Sequence, residues 1–119
     1  MKLLIVDDSL AMRRKIERCV VGKHNFNIVT ASNGVEAVDV FSRELPDAVT
    51  MDLTMPKMDG VDCIKRLINI KQDVHILVIS ALNDKVTSLE AIKNGAEGFL
   101  RKPFTDERLA VSINELLEN

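Results

Sequence analysis

Two carboxylates stand side by side at Asp7 and Asp8, directly after the apolar run from Leu3 to Val6. A third, Asp52, closes another apolar run, Ser80 closes a third, and Lys102 follows a fourth. Like charges held close oppose each other's ionisation, so an acid pair at the end of a buried strand calls for a positive partner. Carboxylates are hard oxygen ligands, and Mg²⁺ takes a few of them together with water and phosphate oxygens. Lys102 offers a mobile point charge suited to a phosphate or a carboxylate, and Ser80 offers one hydroxyl donor to an oxyanion. A carboxylate can also act as a nucleophile, accepting a phosphoryl group to give an aspartyl-phosphate. Asp52 stands alone and is the better candidate for that role, which leaves the adjacent pair to hold the metal. Phosphoryl transfer needs mainly positioning and charge neutralisation, so no catalytic His or Cys is required.

These residues gather only if the chain brings several strand ends to one edge. Segments 3–6, 27–31, 47–51, 75–80 and 98–100 are short apolar or β-branched runs and are expected as strands. The middle ones are apolar on both sides, as in a parallel sheet covered by helices. Helical stripes lie between them. Met12, Ile16, Cys19 and Val20 form one, and Leu109, Ile113, Leu116 and Leu117 form the last. Segments 34–45, 60–70 and 84–94 supply three more helices, with Val38, Phe41, Ile64, Leu67, Leu89 and Ile92 expected to face inward. Strict alternation of strand and helix predicts an open α/β sheet with helices on both faces. In such sheets ligands bind outside the carboxyl ends of the strands. Asp7, Asp8, Asp52, Ser80 and Lys102 all fall there.

Composition narrows the class. A chain of 119 residues with 46% hydrophobic and 29% charged residues is expected to be one globular domain. A formal charge of −2 asks for neither nucleic acid nor an anionic membrane. No apolar run approaches the ~20 residues that span a bilayer, and acids cut "LLIV" too short for an export signal. Two cysteines make no disulfide framework, so a reducing cytoplasm is the expected compartment. Cys19 and Cys63 belong to helices on opposite faces of the sheet if the crossovers are right-handed.

The pieces "LLIVDDS", "MDLTMPKMDG", Ser80-Ala81 and "GAEGFLRKPF", in this order and at this spacing, resemble the receiver domains of two-component response regulators, in particular the stand-alone, CheY-like receivers. The resemblance covers essentially the whole chain, residues 1–119. It implies a flavodoxin-like, doubly wound five-stranded parallel sheet of order 2-1-3-4-5 with five helices. It implies that Asp52 accepts the phosphoryl group, that Asp7 and Asp8 organise Mg²⁺, and that the backbone carbonyl of Thr54 is a further metal ligand. By the same resemblance Ser80 is the hydroxyl that moves toward the phosphoryl group. Lys102 pairs with that group, and Pro103 follows a bond that is usually cis. Phe99 holds the aromatic switch position. Phosphorylation adds about −1.5 to −2 of charge, which biases the surface formed by the fourth helix, fifth strand and fifth helix. The implied partners are a histidine kinase as phosphodonor and a downstream target or phosphatase, and the unphosphorylated protein is expected to be a monomer. Its chemistry is confined to its own phosphorylation and dephosphorylation, with no turnover of a diffusible substrate. Thr54 and Leu82 border the water's path in this family and neither can act as a base, so self-dephosphorylation is expected to be slow.

Plainer roles compete for the same residues. Asp7, Asp8 and Ser9 could cap the first helix, and one of them is expected to do so. Asp59 and Gly60 read as turn and helix-start residues. Met12, Met51, Met55 and Met58 are expected to be packing residues, and His24 and His75 to be solvated or structural. The charge run "RRKIER" at 13–18 is expected as the solvated face of the first helix, open to a docking role. Three other classes can be set against the receiver. A haloacid-dehalogenase-type phosphatase wants a second acid two residues after the nucleophile, where this chain has Thr54. A nucleotide or flavin binder wants Gly or hydroxyl residues where this chain has "DDSLAM". A receiver that works without phosphorylation would not need the full acid set and Lys102. The chain closes at "ELLEN" after the last helix, as expected of a stand-alone receiver, with a fragment of a larger regulator as the main alternative.

Overall fold

Five short apolar segments pair side by side in the computed structural model of the chain, which describes residues 1–21, 25–53, 58–81 and 85–118. The strands are β1 (Lys2–Val6), β2 (Asn27–Ala31), β3 (Ala48–Asp52), β4 (His75–Ser80) and β5 (Gly98–Arg101), all parallel, in the order β2-β1-β3-β4-β5. The helices between them are α1 (Leu10–Val21), α2 (Gly34–Glu44), α3 (Gly60–Ile70), α4 (Lys85–Lys93) and α5 (Asp106–Glu118). Thr54, Met55, Leu82 and His24 lie outside the described residues, so the expectations placed on them are not addressed by the structure.

Alternate strand residues point to opposite faces, and the sequence fills both faces with apolar side chains. Leu3, Ile5, Leu77 and Ile79 pack under α1 and α5, against Ile16, Leu109 and Ile113. Leu4, Val49, Met51 and Val78 pack on the other side, against Phe41 of α2 and Ile64 and Leu67 of α3. Cys19 belongs to the first layer and Cys63 to the second, so the sheet separates them as expected. Local signals set the helix starts. Ser9 Oγ accepts from Met12 N (3.2 Å) at α1, Asn33 Oδ1 from Glu36 N (2.8 Å) at α2, and Asp59 Oδ1 from Val61 N (2.9 Å) at α3. Ser9 therefore takes the capping role left open among Asp7, Asp8 and Ser9.

Two sequence expectations are corrected here. Leu89 and Ile92 do not face inward: they are 60% and 36% exposed, and α4 buries Ser88 and Ala91 instead. Val38 is only partly buried, packed on the rim of its layer. The run at 13–18 is not wholly solvated either. Arg13 Nη1 donates to the Asp7 carbonyl (2.6 Å), and Lys15 Nζ donates to the Phe104 carbonyl (3.2 Å) while lying 4.7 Å from the Phe104 ring centroid. Long basic side chains can bury their stems and still satisfy their charged heads.

The strand starts are tied by charge. Lys2 Nζ meets Glu44 Oε1 at 2.9 Å, and the Lys2 backbone N–H donates to Asp47 Oδ2 at 2.9 Å. Lys71 Nζ lies 3.4 Å from Asp47 Oδ1. The Lys2 N–H and then Lys71 hold the Asp47 carboxyl below its ordinary range. His75 Nδ1 sits 2.9 Å from Glu97 Oε2, so this histidine is structural, as expected.

One buried group stands apart. Thr50, fully buried between Ile5 and Leu77 on neighbouring strands, has a hydroxyl with no hydrogen-bond partner among the described residues. Valine has the same shape without the polar atom. Thr50→Val is therefore expected to raise the unfolding free energy by about 1 kcal/mol, because a desolvated, unbonded hydroxyl is removed at no loss of packing. Urea unfolding checks this; a lower midpoint would show that the hydroxyl is bonded after all.

Candidate functional site

The carboxyl ends of β1 and β3, adjacent in the sheet, deliver their terminal residues to one place. Asp7 and Asp52 are both 1% exposed, while Asp8 is exposed. One carboxylate oxygen from each of the three lies within 4.8 Å of the others. Asp7 is fixed on several sides: its N–H donates to the Ala31 carbonyl (3.1 Å), its Oδ1 accepts from Ser9 N (2.9 Å), and its carbonyl accepts from Arg13. The turn that caps α1 thus also orients the first acid.

Lys102 enters from β5 and spans the two buried acids. Its Nζ lies 3.3 Å from Asp7 Oδ2 and 3.6 Å from Asp52 Oδ2. Its backbone N–H donates to the Ser80 carbonyl at 2.8 Å, which locks the lysine to the end of β4. The Lys102–Pro103 peptide bond is cis. Burial pushes the Asp7 carboxyl above its ordinary value, with the nearby Asp52 charge adding to the effect; the Ser9 N–H and Lys102 pull the other way. Among the described residues, one lysine sits beside these three acids. The donor set is all carboxylate oxygen, two groups buried and one open to solvent, which suits a small hard divalent cation.

Behind the site the packing is tight. A Cβ at Gly60 would lie 2.8 Å from Leu53 Cα and 2.7 Å from Leu53 Cδ2. The start of α3 therefore presses on the residue that follows Asp52, and position 60 has no space for a side chain. Ser80 ends β4, is 1% exposed, and accepts a hydrogen bond from Ser88 Oγ of α4 at 3.1 Å. Phe99 on β5 is 46% exposed, its ring centroid 5.9 Å from the Arg101 guanidinium. It belongs to the edge strand of the sheet.

Asp7, Asp8, Asp52 and Lys102 are therefore brought together, with Ser80 anchored to them through the Lys102 backbone. Thr54 lies outside the described residues. Arg13 and Ser88 were not anticipated. Arg13 sits six positions after Asp7, within one helical turn of the cap, a spacing that lets a long side chain reach back. Ser88 carried no signal, since a serine beside an apolar stripe that is expected to face the core reads as solvated.

Residues 3–114 match the response regulator receiver domain family. The chemotaxis protein CheY of Bacillus subtilis is 39% identical over 117 residues, spanning 98% of this chain and 97% of that protein. The CheY of Thermotoga maritima is 39% identical over 116 residues, spanning 97% and 96%. The crystal structure of the receiver domain of NtrX from Brucella abortus superposes with a TM-score of 0.91 over 98% of both chains at 24% identity, a likeness of fold.

Proposed function

Because this chain belongs to the response regulator receiver domain family, we propose that Asp52 is the side chain on which it accepts a phosphoryl group. The observation that carries this is the placement of Asp52. Its buried carboxylate ends a central strand, 3.6 Å from Lys102 and within 4.8 Å of the acid pair. We further propose that residues 1–119 act as a single receiver domain, and that it serves a two-component pathway of chemotaxis type, as its CheY relatives suggest.

The phosphodonor in this reading is a phosphohistidine on a histidine kinase. An Asp52 carboxylate oxygen attacks phosphorus; the O–P bond forms as the P–N bond breaks, and the electron pair leaves with the imidazole nitrogen. Lys102 is already placed beside the attacking carboxylate and meets the negative phosphoryl oxygens as they arrive. Asp7, Asp8, Asp52 and the Thr54 carbonyl would hold Mg²⁺, which when bound supplies neutralisation of the phosphoryl oxygens. Ser80 then turns its hydroxyl toward the new group, and Phe99 follows inward. The face that changes is formed by α4, β5 and α5. Val86 (78% exposed), Leu89 (60%) and Phe99 (46%) already give it apolar character, which supports docking of a target protein there.

Intact-mass measurement with a small-molecule phosphodonor tests the reading. With Mg²⁺ the protein is expected to gain one phosphoryl group; with the divalent cation chelated, the gain is expected to vanish. Equal gain in both conditions would remove the metal role from the acid cluster, and no gain in either would remove the phospho-acceptor.

A further inference from the structure

We propose that Ser88 is a positioning residue that holds the Ser80 hydroxyl against α4 and so sets how readily the receiver passes to its phosphorylated form; the inference rests on the reading of Asp52 and Ser80 given above. α4 is an unusual helix. It turns Val86 and Leu89 outward and gives its most buried positions to Ser88 (4% exposed) and Ala91 (0%). A polar residue in such a position needs a reason, because burying a hydroxyl is unfavourable unless it is bonded. One bond that meets this need is the 3.1 Å contact from Ser88 Oγ to Ser80 Oγ, which ties α4 to the end of β4.

A serine hydroxyl has three staggered positions about one bond, and only one of them can keep a given partner. When Ser80 swings to a phosphoryl oxygen on Asp52, it gives up the Ser88 contact. Residue 88 thus weights the scale on the resting side. It also lines, with Lys85, Leu89, Phe99 and Arg101, a cavity of about 260 Å³ between α4 and β5. One side chain therefore touches both the hydroxyl at the end of β4 and the space beside Phe99. An alanine at 88 keeps the helix and removes the bond. A threonine keeps the hydroxyl and has the cavity for its extra methyl group.

Beryllofluoride, a tetrahedral mimic of the phosphoryl group on a carboxylate, can be titrated in the presence of Mg²⁺ and followed by fluorine NMR. Ser88→Ala is expected to bind it about fivefold more tightly than the parent protein, the weight of one net hydrogen bond. Ser88→Thr is expected to stay within about twofold of the parent, since the bond is retained. In a Ser80→Ala background, Ser88→Ala is expected to change nothing, because the partner is already gone. Unchanged or weaker binding by Ser88→Ala, or a gain that persists without the Ser80 hydroxyl, would overturn the proposal. A parent protein that shows no bound fluorine signal at all overturns the Asp52 reading first, and this inference with it.

Discussion

Asp52→Asn is expected to fold, to gain no phosphoryl group under conditions that load the parent protein, and to melt at a higher temperature when no divalent cation is present. The chemical half follows from the amide. Its oxygen carries no formal charge and is a poor nucleophile, so the rate of loading should fall by at least about 10³-fold, as when other covalent nucleophiles are removed. The stability half follows from the geometry. Asp7 and Asp52 are both buried and share one lysine, with Asp8 completing a cluster of three acids within 4.8 Å. Replacing one acid by a neutral amide of the same shape leaves one buried acid, Asp7, paired with Lys102 beside the exposed Asp8. A rise of about 2–5 °C is the scale of a 1 kcal/mol gain in a domain of this size. Intact mass and a thermal melt in chelator read the two halves separately. Loading at the parental rate would place the nucleophile on another acid. A lower melting temperature would mean that Lys102 already balances the three charges.

Lys102→Met is the second large effect, and it runs in the opposite direction for stability. The lysine is the one basic side chain within ion-pair distance of the buried acids among the described residues. Without it, two buried carboxylates face each other with no lysine between them, and breaking such an arrangement by removing one partner costs about 3 kcal/mol. In the proposed reading Mg²⁺ would be held by the acid cluster of the folded protein and not by the unfolded chain, so it should recover much of that loss by mass action. Loading should fall by about 10²-fold even with saturating metal, the usual consequence of deleting one fixed donor to a developing charge. Lys102→Arg separates charge from shape. A planar guanidinium restores the net charge but cannot sit between two carboxylates as a compact ammonium does. It should recover stability more than rate. Urea unfolding with and without Mg²⁺, beside loading kinetics, checks each point; an unaltered loading rate in Lys102→Met would remove the lysine from the transfer step.

Much of this site could be read from strand-end residues alone. A parallel sheet covered on both faces makes its strands continuous apolar runs, so the first polar residue after each run marks the strand end. Asp7, Asp52 and Ser80 stand out for that reason, and Asp8 and Lys102 follow by position. The helices were less legible. In α4, Val86, Leu89 and Ile92 form a regular apolar stripe that points to the surface, while Ser88 and Ala91 are buried. Small residues let a helix lie close to the sheet but carry little hydrophobic signal, and an apolar stripe reads the same whether it meets a core or awaits a partner. Arg13 and Lys15 were hidden by a related ambiguity. Charge in a sequence suggests water, yet both side chains end on backbone carbonyls of the protein itself.

The ion pairs joining Lys2, Glu44, Asp47 and Lys71 lie at the strand starts, about 15 Å from the acid cluster along strands of ordinary rise. Changes at sites so far apart combine almost independently. A lineage can therefore rework the acid edge, altering the lifetime of the signal or the choice of listener. It can then restore lost robustness through substitutions at the opposite edge that leave the message untouched. The orientation shared by all five strands gives the molecule two separate fields for natural selection, one for meaning and one for durability.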